Sequence, residues 1–129
     1  MIAASTLSRL WRGVGWFGVV LLLYLSLTPA PPEIHVENGD KIGHLLAYGT
    51  LMSWWGQLVV GFPRRLLLAA GLALLGVALE FVQGWSGWRT FDTHDMLANA
   101  AGVALGWLLV ALMPNVIGLL GRGKRGPGL

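Results

Sequence analysis

Apolar residues along this chain fall into four long blocks, and polar, proline and glycine residues are confined to the joints between them. The first block, Val14 to Leu27, is nearly unbroken and closes at Thr28-Pro29-Ala30-Pro31-Pro32. The second closes at Gly61-Phe62-Pro63, the third runs on from Leu66, and the fourth closes at Met113-Pro114. Crossing about 30 Å of hydrocarbon takes roughly 20 mostly apolar residues. The blocks therefore predict an all-α integral membrane protein with four transmembrane helices, at about 10–28, 42–61, 66–84 and 93–113. Proline lacks the backbone N–H and disfavours a helical residue before it, so it marks the helix ends. Asn38-Gly39 reads as a turn, with Asp40 as the N-cap of the second helix. Gly84 to Thr90 reads as a loop between the third and fourth.

The polar positions inside the blocks have a helical rhythm. Asp92, Asp95, Asn99, Gly102 and Gly106 follow at steps of three, four, three and four, which places all five on one face. Lys41, His44 and Tyr48 share a face in the same way. Glu80 and Gln83 close the third block. Each cluster sits near one end of its helix, so the three polar faces lie at similar depth and could converge on one pocket.

Composition supports the membrane class. The chain has 129 residues, 55% of them hydrophobic and only 12% charged, with a mean hydropathy of +0.65. A single membrane domain over 1–114 and a short basic, Gly-rich tail over 115–129 account for the chain, with 115–121 a candidate interfacial piece. The N-terminal block also has the outline of a secretory signal. Because the rest is itself membranous and prolines crowd the cleavage point, an uncleaved first helix is the expectation. There are no cysteines, which excludes disulfides and thiolate metal sites.

Charge distribution gives the topology. Arg9, Arg12, Arg64, Arg65, Arg122, Lys124 and Arg125 fall at the termini and in the middle loop. The bias of cations toward the cytoplasmic side then puts both termini in the cytoplasm. Lys41, Arg89 and all six acids fall on the outer side. The net charge of +3 therefore reports orientation, not nucleic-acid binding.

Ionisable groups inside a span cost about 2.5–3.5 kcal/mol on insertion scales, so they usually face the protein interior and suggest function. Glu80 and Asp95 are the candidate acid/base residues, with His44 beside them. The alternative is polar glue between helices. His44, Glu80 and Asp95 could also hold a divalent metal, although no two histidines share a metal-binding spacing; no cofactor is required. Asp40, Lys41, Tyr48, Gln83, Arg89, Asp92 and Asn99 are candidate binding residues. Arg89 could pair with Asp92 or Asp95, or grip an anion. Gly102 and Gly106 are helix-packing residues. Trp85 and Trp88 are interface anchors or, alternatively, a stacking surface for a sugar or glycopeptide ring.

Three pieces in order, Asp40-Lys41-x-x-His44-x-x-x-Tyr48, Glu80-x-x-Gln83 and Arg89-x-x-Asp92-x-x-Asp95-x-x-x-Asn99-x-x-Gly102-x-x-x-Gly106, resemble the VanZ-like family of small bacterial membrane proteins. The resemblance runs from about residue 15 to 112. It implies a multi-pass protein of the bacterial cytoplasmic membrane with a cell-envelope role, and the family takes its name from a protein associated with teicoplanin resistance. Its expected partners are the lipid bilayer and an envelope ligand or glycopeptide, with oligomers open. An enzyme acting on a lipid-linked or peptidoglycan-related substrate and, more weakly, a small transporter are the alternatives.

Overall fold

A computed structural model describes residues 4–122, which form α1 (Ala4–Leu27), α2 (Gly39–Gly56), α3 (Phe62–Ser86), α4 (Thr93–Leu112) and α5 (Val116–Arg122). No strand occurs among the described residues. Residues 123–129, with Lys124 and Arg125 of the expected tail, lie outside them.

The helices depart from the sequence expectation at their ends, each time for a local reason. Asp40 is not the N-cap of α2. That position belongs to Asn38, whose left-handed φ of 54° is one an asparagine tolerates. Gly39 follows because a Cβ there would lie 2.0 Å from the Ile34 carbonyl oxygen, so the loop closes on bare backbone. At its other end α2 stops at Gly56, short of residue 61. Arg65 donates from Nε to the Val59 carbonyl at 3.0 Å and from Nη2 to that of Gly56 at 3.4 Å. A cation on the last carbonyls of a helix satisfies orphan acceptors and complements the negative end of its dipole. Arg64 and Arg65 thus lie in the first turn of α3, not in a loop, after Pro63 near its start. Gly84 and Trp85 extend α3 instead of opening a loop, and Gly87 ends it with a φ of 81°, a conformation glycine adopts without strain.

Ser5–Leu27, Phe62–Ser86 and the stretch from Thr93 to Leu120 are long and apolar enough to cross a membrane. The sequence predicts four such spans. α2 is the exception, because Asp40, Lys41 and His44 lie in its first turns. It is also the most enclosed helix: only Asp40, Ile42, Leu46 and Thr50 along it are exposed. Its neighbours α1, α3 and α4 turn large apolar side chains outward, Phe17, Leu67 and Leu112 among them, as surfaces bathed in lipid do.

The core gathers Tyr48, Leu51 and Met52 of α2 against Leu22, Ala69, Leu72, Leu79 and Val103. α2 packs chiefly on α4, and glycines bring the two backbones together. A Cβ on Gly102 would stand 2.4 Å from the Leu45 carbonyl oxygen, and one on Gly106 would stand 2.5 Å from that of Gly49. This approach sets the faces of α2 and α4 against each other and so aligns their polar ends.

Candidate functional site

Polar side chains of α2, α3 and α4 meet at the end of the bundle where α2 and α4 begin and α3 ends. Lys41 stands at the centre. Its Nζ donates to Asp40 Oδ2 at 2.6 Å, Asp92 Oδ2 at 2.7 Å and Asp95 Oδ1 at 2.5 Å. One ammonium has three donors, and each carboxylate takes one. These three carboxylates also have the spacing of a cation cage, with ligand atoms within 4.8 Å of one another, and the lysine ammonium occupies its middle. The three carboxylates that meet at one point are therefore Asp40, Asp92 and Asp95, and not the His44, Glu80 and Asp95 set that the sequence offers as a possible divalent-metal site.

α4 starts here because Asp92 caps it, with Oδ1 accepting from the His94 N–H at 2.9 Å. Asp92 is drawn well below the usual carboxylate range, to about 2, first by the Lys41 ammonium and then by the His94 N–H. Because the folded value lies below the ordinary one, this group stabilises the fold above about pH 4. That contribution is lost as the pH falls through about 2.

Glu80 has a different position from the aspartates. It is 1% exposed, and its Oε1 accepts from the backbone N–H of Asp92 at 2.6 Å. It thereby ties the end of α3 to the start of α4 from beneath the cluster. Substituting glutamine keeps an acceptor for that N–H and removes a buried carboxyl near two others. Glu80→Gln is expected to stay within about 1 kcal/mol of wild type in thermal unfolding. Glu80→Leu, which orphans the amide, should lose about 1–3 kcal/mol. A large loss in the glutamine variant would show that the charge itself holds the site.

His44 bridges α2 and α4. Nδ1 lies 2.8 Å from Asn99 Oδ1 and Nε2 lies 3.4 Å from Asp95 Oδ2. The Nδ1–Asn99 contact is a hydrogen bond, whereas Nε2 stands at ion-pair distance from Asp95 and attracts it fully only when both ring nitrogens carry protons. A proton can therefore be held on His44 beside Asp95, with the Asn99 amide fixing the ring. Room for the Asn99 amide exists because Gly76 lacks a side chain: a Cβ there would lie 2.9 Å from Nδ2. Tyr48, 1% exposed, packs its ring beside the same glycine.

Arg89 does not pair with Asp92 or Asp95. Its Nη1 donates to the carbonyls of Leu25, Ser26 and Thr28 at 3.2–3.3 Å, capping the end of α1. Gln83 donates to the Ser26 carbonyl at 2.8 Å, and the Trp88 indole donates to that of Leu27 at 3.2 Å. α1 is thus fastened to the site by its last carbonyls.

Above the cluster lies an open cleft of about 340 Å³, lined by Asp40, His44, Trp88, Arg89, Thr90, Phe91, Asp92 and Asp95. The structure brings together Asp40, Lys41, His44, Asp92, Asp95 and Asn99. It sets Glu80 and Gln83 behind the wall, and Tyr48 in the core. Thr90 and Phe91 have no signal in the sequence. Phe91 is recognisable only once it is seen beside Phe81, with ring centroids 5.2 Å apart.

The VanZ/LLP1 family profile matches residues 3–114. An uncharacterized protein of Schizosaccharomyces pombe, C11E3.10, is 35% identical over 100 residues, covering 70% of this chain and 58% of that protein. This chain thus accounts for little more than half the length of that relative, which is a yeast and not a bacterial protein. No solved structure matches the chain.

Proposed function

This chain belongs to the VanZ/LLP1 family, and on that premise we propose that it is a cell-envelope protein of the bacterial cytoplasmic membrane whose cleft faces outward and binds an envelope ligand. In this reading all four long helices span, α2 sheltered by the other three, and both termini are cytoplasmic. The concentration of cations at the far end supports that orientation. The proposed envelope role is tolerance of glycopeptides such as teicoplanin.

The observation that carries the reading is the cleft itself. Three aspartates, balanced in part by Lys41 and Arg89, leave it with one net negative charge, and Trp88 and Phe91 give it aromatic walls. Few convergent polar groups beside apolar walls are the usual make-up of a small-ligand site. An acidic floor with aromatic walls suits a ligand carrying an amine and a ring face.

Titration of the purified protein with teicoplanin, followed by tryptophan fluorescence, tests this. Saturable binding is expected, weakened about tenfold in Asp95→Asn and in Trp88→Ala. Binding that neither variant alters would place the ligand elsewhere, and no binding by wild type would remove the glycopeptide from the proposal.

One observation favours a second reading, an enzyme: His44 and Asp95 both line the cleft and stand as an acid–base pair 3.4 Å apart. Turnover of a lipid-linked peptidoglycan precursor, lost in both His44→Gln and Asp95→Asn, would select it. A transporter fits less well, because ionisable groups do not continue along the inward-facing surfaces of the helices.

A further inference from the structure

The end of the bundle opposite the cleft has a charge pattern of its own. α1, α3 and α5 begin or end there, along with the last turns of α2 and α4. Trp11 and Trp54 stack at 3.8 Å between centroids, which places the start of α1 beside the end of α2. The Val116 N–H donates to Gln57 Oε1 at 3.0 Å, and α5 packs against α1. Seven of the nine lysines and arginines belong to this end or the tail that follows it, and all six acids lie at the other.

Arg65 is engaged by the carbonyls of Gly56, the last residue of α2, and of Val59 just beyond it. Arg9, Arg12 and Arg64 are exposed, with no ion pair among the described residues. Arg64 sits in the first turn of α3, where the helix dipole is already positive and an anion, not a cation, is favoured. Among the described residues, nothing compensates these charges. At the same end α5, packed against α1, turns out Leu119 and Leu120, 55% and 60% exposed. Outward apolar side chains at an end that also carries exposed cations are the composition of a surface lying in a headgroup layer.

We propose that this end is a binding surface for anionic phospholipid. Arg9, Arg12 and Arg64 hold phosphodiester headgroups through their guanidinium forks, and α5 lies along the membrane surface with Leu119 and Leu120 in the upper acyl region. The surface rests on the membrane setting of the helices and not on the cleft or its ligand, so the two can fail separately.

The full chain, reconstituted in phosphatidylcholine containing a minority of phosphatidylglycerol and then extracted in mild detergent, tests it by the lipids that co-purify, counted by mass. The wild type should retain phosphatidylglycerol above its share of the input, and high salt should abolish the excess. The combined R9Q/R12Q/R64Q variant should lower the excess at least about threefold. R9K/R12K/R64K should retain more than the glutamine variant, because it keeps the charge. Lipid retained in proportion to the input by wild type overturns the proposal, as does an excess untouched by both salt and the glutamine substitutions. Inorganic phosphate that raises the melting temperature of wild type as far as phosphatidylglycerol does would overturn the lipid assignment. The salt arm uses unaltered protein, so the conclusion does not depend on a variant that folds poorly.

Discussion

Replacing Lys41 with methionine is expected to destabilise the protein by about 2–4 kcal/mol at neutral pH. The estimate lies between two limits. Exposed ion pairs contribute about 0–1 kcal/mol, whereas removing one partner from a buried set costs about 3–5 kcal/mol, because the remaining charges stay uncompensated. Here the Lys41 side chain is 25% exposed, and its three partners range from 11% for Asp95 to 62% for Asp40. Once the ammonium is gone, Asp40, Asp92 and Asp95 face one another across a space a few ångströms wide. The pH dependence gives the decisive sign. Wild type loses stability in strong acid, as the Asp92 carboxyl, held at about 2 by Lys41, takes up a proton. In Lys41→Met, protonation relieves repulsion, so its deficit should shrink between pH 7 and pH 4. Adding Asp95→Asn should recover part of the loss at neutral pH. Thermal unfolding of the three proteins in one detergent reads all of this. If Lys41→Met melts with wild type at pH 7, the three bonds to Nζ do not hold the site.

Gly102→Ala is expected to cost about 2–3 kcal/mol, although alanine is the better helix former by about 1 kcal/mol. The new methyl would sit 2.4 Å from the Leu45 carbonyl oxygen and 3.1 Å from the Gly49 nitrogen. Both are backbone atoms of a packed helix and cannot swing aside, so α2 and α4 must separate, with the strain of an overpacked core. Because Lys41 rides on α2 and Asp95 on α4, the cluster at the helix ends should loosen as well. Gly71→Ala is the matched control. A Cβ there meets nothing within 4 Å, so it should be neutral or mildly stabilising. Equal effects from the two substitutions would mean that the close approach of α2 and α4 does not limit stability.

The sequence anticipates the helical class because apolar block length and proline placement are direct consequences of bilayer thickness and backbone chemistry. It also groups Asp92, Asp95, Asn99 and Gly102 on one face, since α4 runs regularly from Thr93 to Leu112. What it cannot give is partner choice. Arg89 has two carboxylates within six residues, yet its guanidinium goes to the carbonyls of α1, more than sixty positions away. Asp40 follows an obvious turn, yet Lys41 claims its carboxylate and Asn38 takes the capping position. Gly49 sits unremarked in the middle of α2 until Gly106 is seen against it. Such choices depend on which helices are neighbours, and that order is not written in the periodicity of any one of them.

In the proposed four-span arrangement, the enclosure of α2 would also bear on how the chain is made. α2 carries the Lys41 ammonium and the His44 ring that bridges to α4, and is the least suited of the long helices to enter hydrocarbon alone. The helix that accepts those groups, α4, emerges from the ribosome last of the four. α1 and α3 can partition by their own hydrophobicity, while α2 waits near the interface for a partner not yet synthesised. Biogenesis is then a collective step in which α4 draws α2 in, and the glycine seam and the Lys41 cluster form together. A substitution at either place would act first on the yield of inserted protein and only afterwards on what that protein binds.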